Sequence, residues 1–272
     1  MSATCRVIFV TCLLWAVPSA PQTVDQVAGA TVFLYKSTQK VKDGKPVVET
    51  KYGTGFLVAV DENALFLVTA EHVSADVTTD FKTIIRGDND TPSGMSSEEL
   101  TGVKEVTWVS HGVENIAVAR LHPSNEAVAK LQGHFMRTSL ISSDGKAPDR
   151  ERPLLTLGFP LELGVIGHFL PISRESKPSS GLITLLRPDT KKPAIFFLLG
   201  DPSIAGFSGA PLLLTAAPYS ASSGMLVMPE RGSPIRCVGV VHGTIKDDHG
   251  FGMAAITPSN FVLETIEKAM GK

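Results

Sequence analysis

From residue 29 onward the apolar segments of this chain are short, rich in Val, Ile, Leu and Phe, and separated by Gly, Pro, Asp and Asn. That punctuation belongs to β-strands joined by turns, and it leaves little room for long helices. Candidate strands fall at 31–35, 55–60, 65–69, 82–86, 104–110 and 116–121, then at 154–158, 181–186, 194–199, 210–214, 235–243 and 252–256. Only the ends look helical: Ser259-Asn260 can cap a segment running to about Met270, in which Val262, Ile266 and Ala269 share a face. The polar, turn-rich stretch 142–152 divides a first β lobe, 25–141, from a second, 153–272. Stretches 87–99 and 216–234 read as surface loops. With 272 residues and 43% hydrophobic side chains, two lobes of ordinary domain size can each bury a core.

Residues 1–20 read differently. Arg6 is the only charged side chain before Asp25, and an apolar run from Val7 to Val17 follows it, ending in Pro18-Ser19-Ala20. The run is too short to span a bilayer, and the pattern is that of a secretory signal peptide, with an uncleaved helix as the alternative. Its removal would leave the protein secreted or periplasmic, with no membrane anchor. Lys+Arg 25 against Asp+Glu 27 gives a net charge of −2, or −3 without Arg6, and there is no basic stripe to pair with nucleic acid. Of the 3 cysteines, Cys5 and Cys12 lie in the leader, so the lone Cys237 has no partner and the core must supply stability.

Three segments carry chemistry. Gly53-Thr54-Gly55-Phe56 and Thr69-Ala70-Glu71-His72-Val73 place a His at a sharp turn after a strand, a position suited to a general base. Gly206-Phe207-Ser208-Gly209-Ala210-Pro211 sets a Ser between glycines, where the N–H groups of Gly206 and Ser208 can converge as an oxyanion hole. Glu114-Asn115 enters the apolar strand Ile116-Ala117-Val118-Ala119. Alone, Ser208 would be an ordinary turn serine, His72 a core histidine and Asn115 a buried hydrogen-bonding residue.

In the chain order His72, Asn115, Ser208, spread over two β lobes, the segments resemble the chymotrypsin-fold serine proteases, closest to the bacterial HtrA-type protease domain. The first pair resembles the signature G-[ST]-G-F … T-A-x-H-V, and the serine turn resembles G-x-S-G-G-P. Leu157-Gly158-Phe159-Pro160, Gly239-Val240-Val241-His242-Gly243 and Gly250-Phe251-Gly252-Met253-Ala254 resemble the second lobe's turn, its substrate-lining strand and its closing strand. The resemblance implies an all-β fold of two antiparallel six-stranded barrels with a short C-terminal helix. It also implies a catalytic set of His72, Asn115 and Ser208, an oxyanion hole at Gly206 and Ser208, and substrate contacts at Val241, His242 and Gly243. No cofactor or metal is implied. The partner is a peptide or protein substrate, and an uncharged pocket at Val241, Gly243 and Gly252 suits a small or medium apolar side chain.

Three departures bear on function. The family's third triad member is an Asp where this chain has Asn115, and the same change in a related active site costs about 10⁴ in kcat. Glu71, Glu114, Asp76 and Asp80 are candidates to supply the missing charge; strand alternation turns Glu114 away from the face that Asn115 presents. Phe207 replaces an Asp or Asn, which excludes activation by a salt bridge to a new N-terminus, and Ala210 replaces a Gly. His242, Asp247, Asp248 and His249 match no metal-ligand spacing, and His111, His122, His134 and His168 are scattered. Two functions follow: an exported serine endopeptidase, or a pseudoprotease that binds peptides without cutting them.

Overall fold

The computed structural model describes residues 22–272 except 62, 216–218, 221–225, 228–234 and 247–251. The predicted leader, most of the loop 216–234, and Asp247, Asp248 and His249 therefore lie outside the described residues.

In the first lobe a short helix α1 (Val24–Ala30), closed by a Thr23–Gln26 capping box, leads into β1 (Thr31–Lys42) and β2 (Lys45–Ala59). These pair without interruption from Thr31↔Phe56 to Lys42↔Lys45. The Asp43-Gly44 turn closes the hairpin with both residues at positive φ, the geometry that matches strand twist. The outer half of this hairpin carries Val41 and Val48 into solvent, while its inner half is buried. Strands β3 (Leu65–Thr69), β4 (Lys82–Arg86), β5 (Pro92–Ser96), β6 (Trp108–Ser110), β7 (Ala117–Leu121) and the two-residue β8 (Met136–Arg137) complete an eight-stranded sheet. Its order is β5-β4-β1-β2-β3-β7-β6, antiparallel except that β8 runs parallel to β2. All five residues of β3, LFLVT, are buried, as expected of a central strand packed on both faces. Helices α2 (Glu71–Val77), α3 (Ser97–Thr101) and α4 (Asn125–Leu131) fill the connections.

The second lobe is a seven-stranded sheet, β10-β9-β13-β16-β17-β12-β11. Its strands are β9 (Leu154–Gly158), β10 (Ile172–Ser176), β11 (Ile183–Leu186), β12 (Pro193–Leu199), β13 (Pro211–Leu214), β16 (Arg236–Lys246) and β17 (Gly252–Pro258), and a small pair, β14 (Tyr219–Ser220) with β15 (Leu226–Val227), stands apart. The expected two-lobed, antiparallel all-β architecture holds, but with eight and seven strands rather than six each. The surplus includes β5, β8 and β10, whose Pro, Ser, Arg and Glu content hides them among loops.

Helix α5 (Asn260–Ala269) ends the fold. Ser259 precedes it as expected but makes no side-chain cap; its hydroxyl donates instead to the Ser142 carbonyl at 2.8 Å, tying the helix to the interlobe segment. Val262 and Ile266 enter one apolar cluster with Phe66, Ile116 and Val118 of the first lobe and Leu157, Leu213 and Val240 of the second. Lys268 Nζ donates to the Ser110 carbonyl at 2.8 Å. The cluster is continuous between the lobes and fixes the cleft where the motifs meet. Among the described residues no helix is long and apolar enough to cross a membrane.

Candidate active site

The Gly53-Thr54-Gly55 motif is the anvil of the site. A Cβ on Gly53 would lie 2.8 Å from both methyls of Val73, so only glycine lets α2 sit so close to β2. Thr54 then reaches into the second lobe: its N–H donates to the Ser208 carbonyl at 2.9 Å and its hydroxyl to the Gly206 carbonyl at 2.7 Å. The same hydroxyl oxygen accepts the Phe159 N–H at 3.1 Å. Gly209 is placed so that a Cβ would meet the Thr54 carbonyl at 2.1 Å and Thr69 Oγ1 at 2.2 Å. The serine turn is thus pressed against the first lobe at a residue that must be glycine, with φ +84°. Phe207, where a carboxylate or amide was expected by resemblance, is packed with Ala210, Val241 and Leu212 in the second-lobe core.

His72 stands in the first turn of α2. Asn115 is fully buried, and its Oδ1 lies 3.2 Å from His72 Nδ1 and 3.3 Å from the His72 backbone N–H. A third donor arrives from the other lobe, for Arg187 Nη2 lies 3.2 Å from the same oxygen. Arg187 is only 2% exposed, and it is held by Glu71 Oε2 at 2.6 Å, Asp189 Oδ2 at 2.6 Å and the Val113 carbonyl at 3.1 Å. Neither Arg187 nor Asp189 was legible from the motifs. Asn115 Nδ2 is buried with no partner.

Charge follows this geometry. Burial works to raise the Asp189 carboxyl, yet the Arg187 guanidinium outweighs it and holds the group at about 2, so it is ionised. Burial pushes His72 below the ordinary imidazole value, against the opposing pull of the Asn115 hydrogen bond and the Asp189 charge. Of the sequence candidates for a compensating charge, Glu71 reaches Asn115 through Arg187. Glu114 does turn away: its Oε2 accepts the Ile195 N–H at 2.9 Å, and burial raises its pKa. Asp76 faces Lys51 at 3.7 Å, and Asp80 pairs with Lys36 on the exposed β1 edge.

Ser208 and His72 line one open cleft together with Gly206, Tyr52, Val73 and Asp76. No hydrogen bond joins the two side chains; Ser208 Oγ donates to the His242 carbonyl at 3.0 Å. The N–H groups of Gly206 and Ser208 have no protein partner among the described residues, and Gly206 has φ +101° with the Phe159 carbonyl 2.3 Å from where a Cβ would be. A register shift between Val241 and Gly243 makes His242 the extra residue of a β-bulge. The bulge aims its ring at His72, with centroids 5.2 Å apart and edge to face. Burial, and then the proximity of His72, lowers His242 to about 4. Gly243 sits beside the hydroxyl, for a Cβ there would be 3.7 Å from Ser208 Oγ. Val241 is 1% exposed and packed in the core, and its backbone is taken up by the Gly209 N–H and the Ala210 carbonyl, so it is not the open substrate contact expected from sequence. Among the described residues no group of three or more His, Cys, Asp or Glu is arranged to hold a metal.

No family model and no curated protein matches the sequence. Solved structures do. The HtrA-type protease AlgW, a serine-to-alanine variant with a decapeptide, matches with a TM-score of 0.56 at 15% identity, over 91% of this chain and 65% of that chain. Deg5 matches with a TM-score of 0.50 at 15% identity, over 88% of both chains. The chain thus covers less than two thirds of the AlgW chain, and the likeness is one of fold. With two antiparallel sheets, a shared cleft and the His and Ser turns facing it from opposite lobes, this chain has the fold of the HtrA-type proteases.

Proposed function

We propose that this protein is an exported serine endopeptidase in which Ser208 is the nucleophile and His72 the general base. The observation that carries the reading is the orientation of Asn115, whose oxygen and not its amino group faces His72 Nδ1. His72 then donates from Nδ1 and keeps Nε2 free for the serine proton. Ser208 turns about its Cα–Cβ bond from the His242 carbonyl toward His72 and attacks the peptide carbonyl, and His72 takes the hydroxyl proton. The carbonyl oxygen, now an anion, is held by the N–H groups of Gly206 and Ser208. His72 passes the proton to the departing amine, and water, deprotonated by the same nitrogen, releases the acyl group. A peptide substrate is in keeping with the decapeptide in the AlgW structure.

The pseudoprotease reading draws on one observation: the resting hydroxyl is bonded to a carbonyl and not to the base. Labelling of the protein without residues 1–20 by a fluorophosphonate, read by intact mass beside Ser208→Ala, separates the two. One adduct per chain, absent in the variant, is the expected result. A folded protein that stays unlabelled over hours at pH values around 7–9, where a catalytic His is neutral, would overturn the peptidase reading and turn the question to what the cleft binds.

A further inference from the structure

A side-chain amide at the third triad position has two orientations, and they have opposite consequences. With oxygen inward it accepts from His72 Nδ1–H; turned over, it donates to Nδ1, moves the imidazole proton to Nε2 and removes the base. Three groups face the inward atom of Asn115. The His72 backbone N–H and the Arg187 guanidinium are obligatory donors, so an amino group there would confront both. The two contacts are of similar length, 3.3 Å from the backbone and 3.2 Å from the guanidinium, but the guanidinium is charged, buried and clamped between two carboxylates. Charge-assisted bonds are about twice as strong as neutral ones. The outward amino group meanwhile is buried without a partner, a cost that turning over would relieve by giving it His72 Nδ1 to donate to.

We propose that Arg187 is a positioning residue that locks the Asn115 amide with its oxygen toward His72 and thereby sets the imidazole tautomer that Ser208 needs. The assignment rests on the serine-peptidase reading above. It reaches beyond that reading to a residue of the opposite lobe, on the turn between β11 and β12. Glu71 and Asp189 complete the device: with Arg187 they form a cluster of net charge −1 next to a neutral amide, the charge an Asp at position 115 would have carried.

The test reads the tautomer directly. In ¹⁵N-labelled protein above the His72 pKa, long-range proton–nitrogen correlation spectra of the imidazole are expected to show Nδ1 protonated and Nε2 bare. In Arg187→Leu the same spectra are expected to move toward Nε2–H, and fluorophosphonate labelling of Ser208 to slow by about 10²-fold or more, within the range a wrong tautomer produces. If the stranded carboxylates unfold that variant, Arg187→Leu combined with Glu71→Gln and Asp189→Asn carries the same readout. An aspartate has no amide to turn over, so in an Asn115→Asp background the charge-neutralised change, Arg187→Leu with Glu71→Gln and Asp189→Asn, is expected to slow labelling by less than about 3-fold, against the 10² range above. Equal losses in the two backgrounds would mark Arg187 as merely structural. An Nε2–H tautomer in the unmodified protein, or an Nδ1–H tautomer that survives Arg187→Leu, would overturn the proposal. Failure of the unmodified protein to label while its Nδ1–H tautomer is present would sink the peptidase reading and leave the role of Arg187 standing.

Discussion

At the scale of single residues, the site replaces a charge with an oriented dipole. Asn115→Asp is therefore no simple restoration, because it would set a third carboxylate around the one guanidinium that already serves Glu71 and Asp189. We expect it to raise the labelling rate by about 10-fold or less, far from the ~10⁴ that separates Asp from an amide that imposes the wrong tautomer, and kinetics on the purified variant will check this. The base titrates low because burial disfavours the imidazolium. Since His72 works in its neutral form, a depressed pKa extends activity toward acid, and the acid limb of kcat/KM is expected to have its midpoint below 6.5, the ordinary value. The nucleophile, the base and the amide were all legible in sequence because each stands in a short motif whose glycines and strand context mark it. Arg187-Pro188-Asp189-Thr190 was not, since a charged, Pro-containing turn between two strands reads as solvated surface until the fold turns it under the other lobe.

At the scale of elements, two glycines separate the demands of the site from those of the backbone. Gly209 has positive φ and no room, with the Thr54 carbonyl 2.1 Å from a Cβ; Gly44 has positive φ and nothing within 4 Å. Gly44→Ala should therefore cost about 1 kcal/mol through strain alone and leave activity unchanged. Gly209→Ala should cost about 3 kcal/mol or more, because backbone must move, and should displace Ser208 with it. Urea unfolding of both variants, with labelling rates, measures the difference. Strands at 65–69, 82–86 and 154–158 match the sequence reading to the residue because their apolar character begins and ends abruptly. The β1–β2 hairpin extends seven residues past the predicted end of β1 at 35 into Lys36–Lys42, where solvent-facing polar residues conceal strand structure. Helix α2 was read as a turn because seven residues after a strand carry too short an apolar period to declare a helix.

At the scale of the whole molecule, two abutting imidazoles make stability depend on pH. His242 is lowered from 6.5 to about 4 and His72 is lowered as well, so the unfolded chain binds protons that the folded one refuses. The stability they permit is complete above 6.5 and is lost as pH falls toward 4, by about 3 kcal/mol for a gap of the size seen at His242. Denaturant midpoints measured across that window should fall, and His242→Phe, which can keep the contact with Phe196, should flatten the curve. The lobes themselves were visible in sequence, but their shared core was not, because the pairing of Val262 and Ile266 with Phe66 and Val118 spans nearly the length of the fold. That pairing has a consequence for how the protein is made. A ribosome delivers the first lobe long before α5, so one wall of the first lobe stays uncovered until the last helix of the fold has been synthesised. The cleft between the lobes is therefore complete only when the polypeptide as far as α5 has been made.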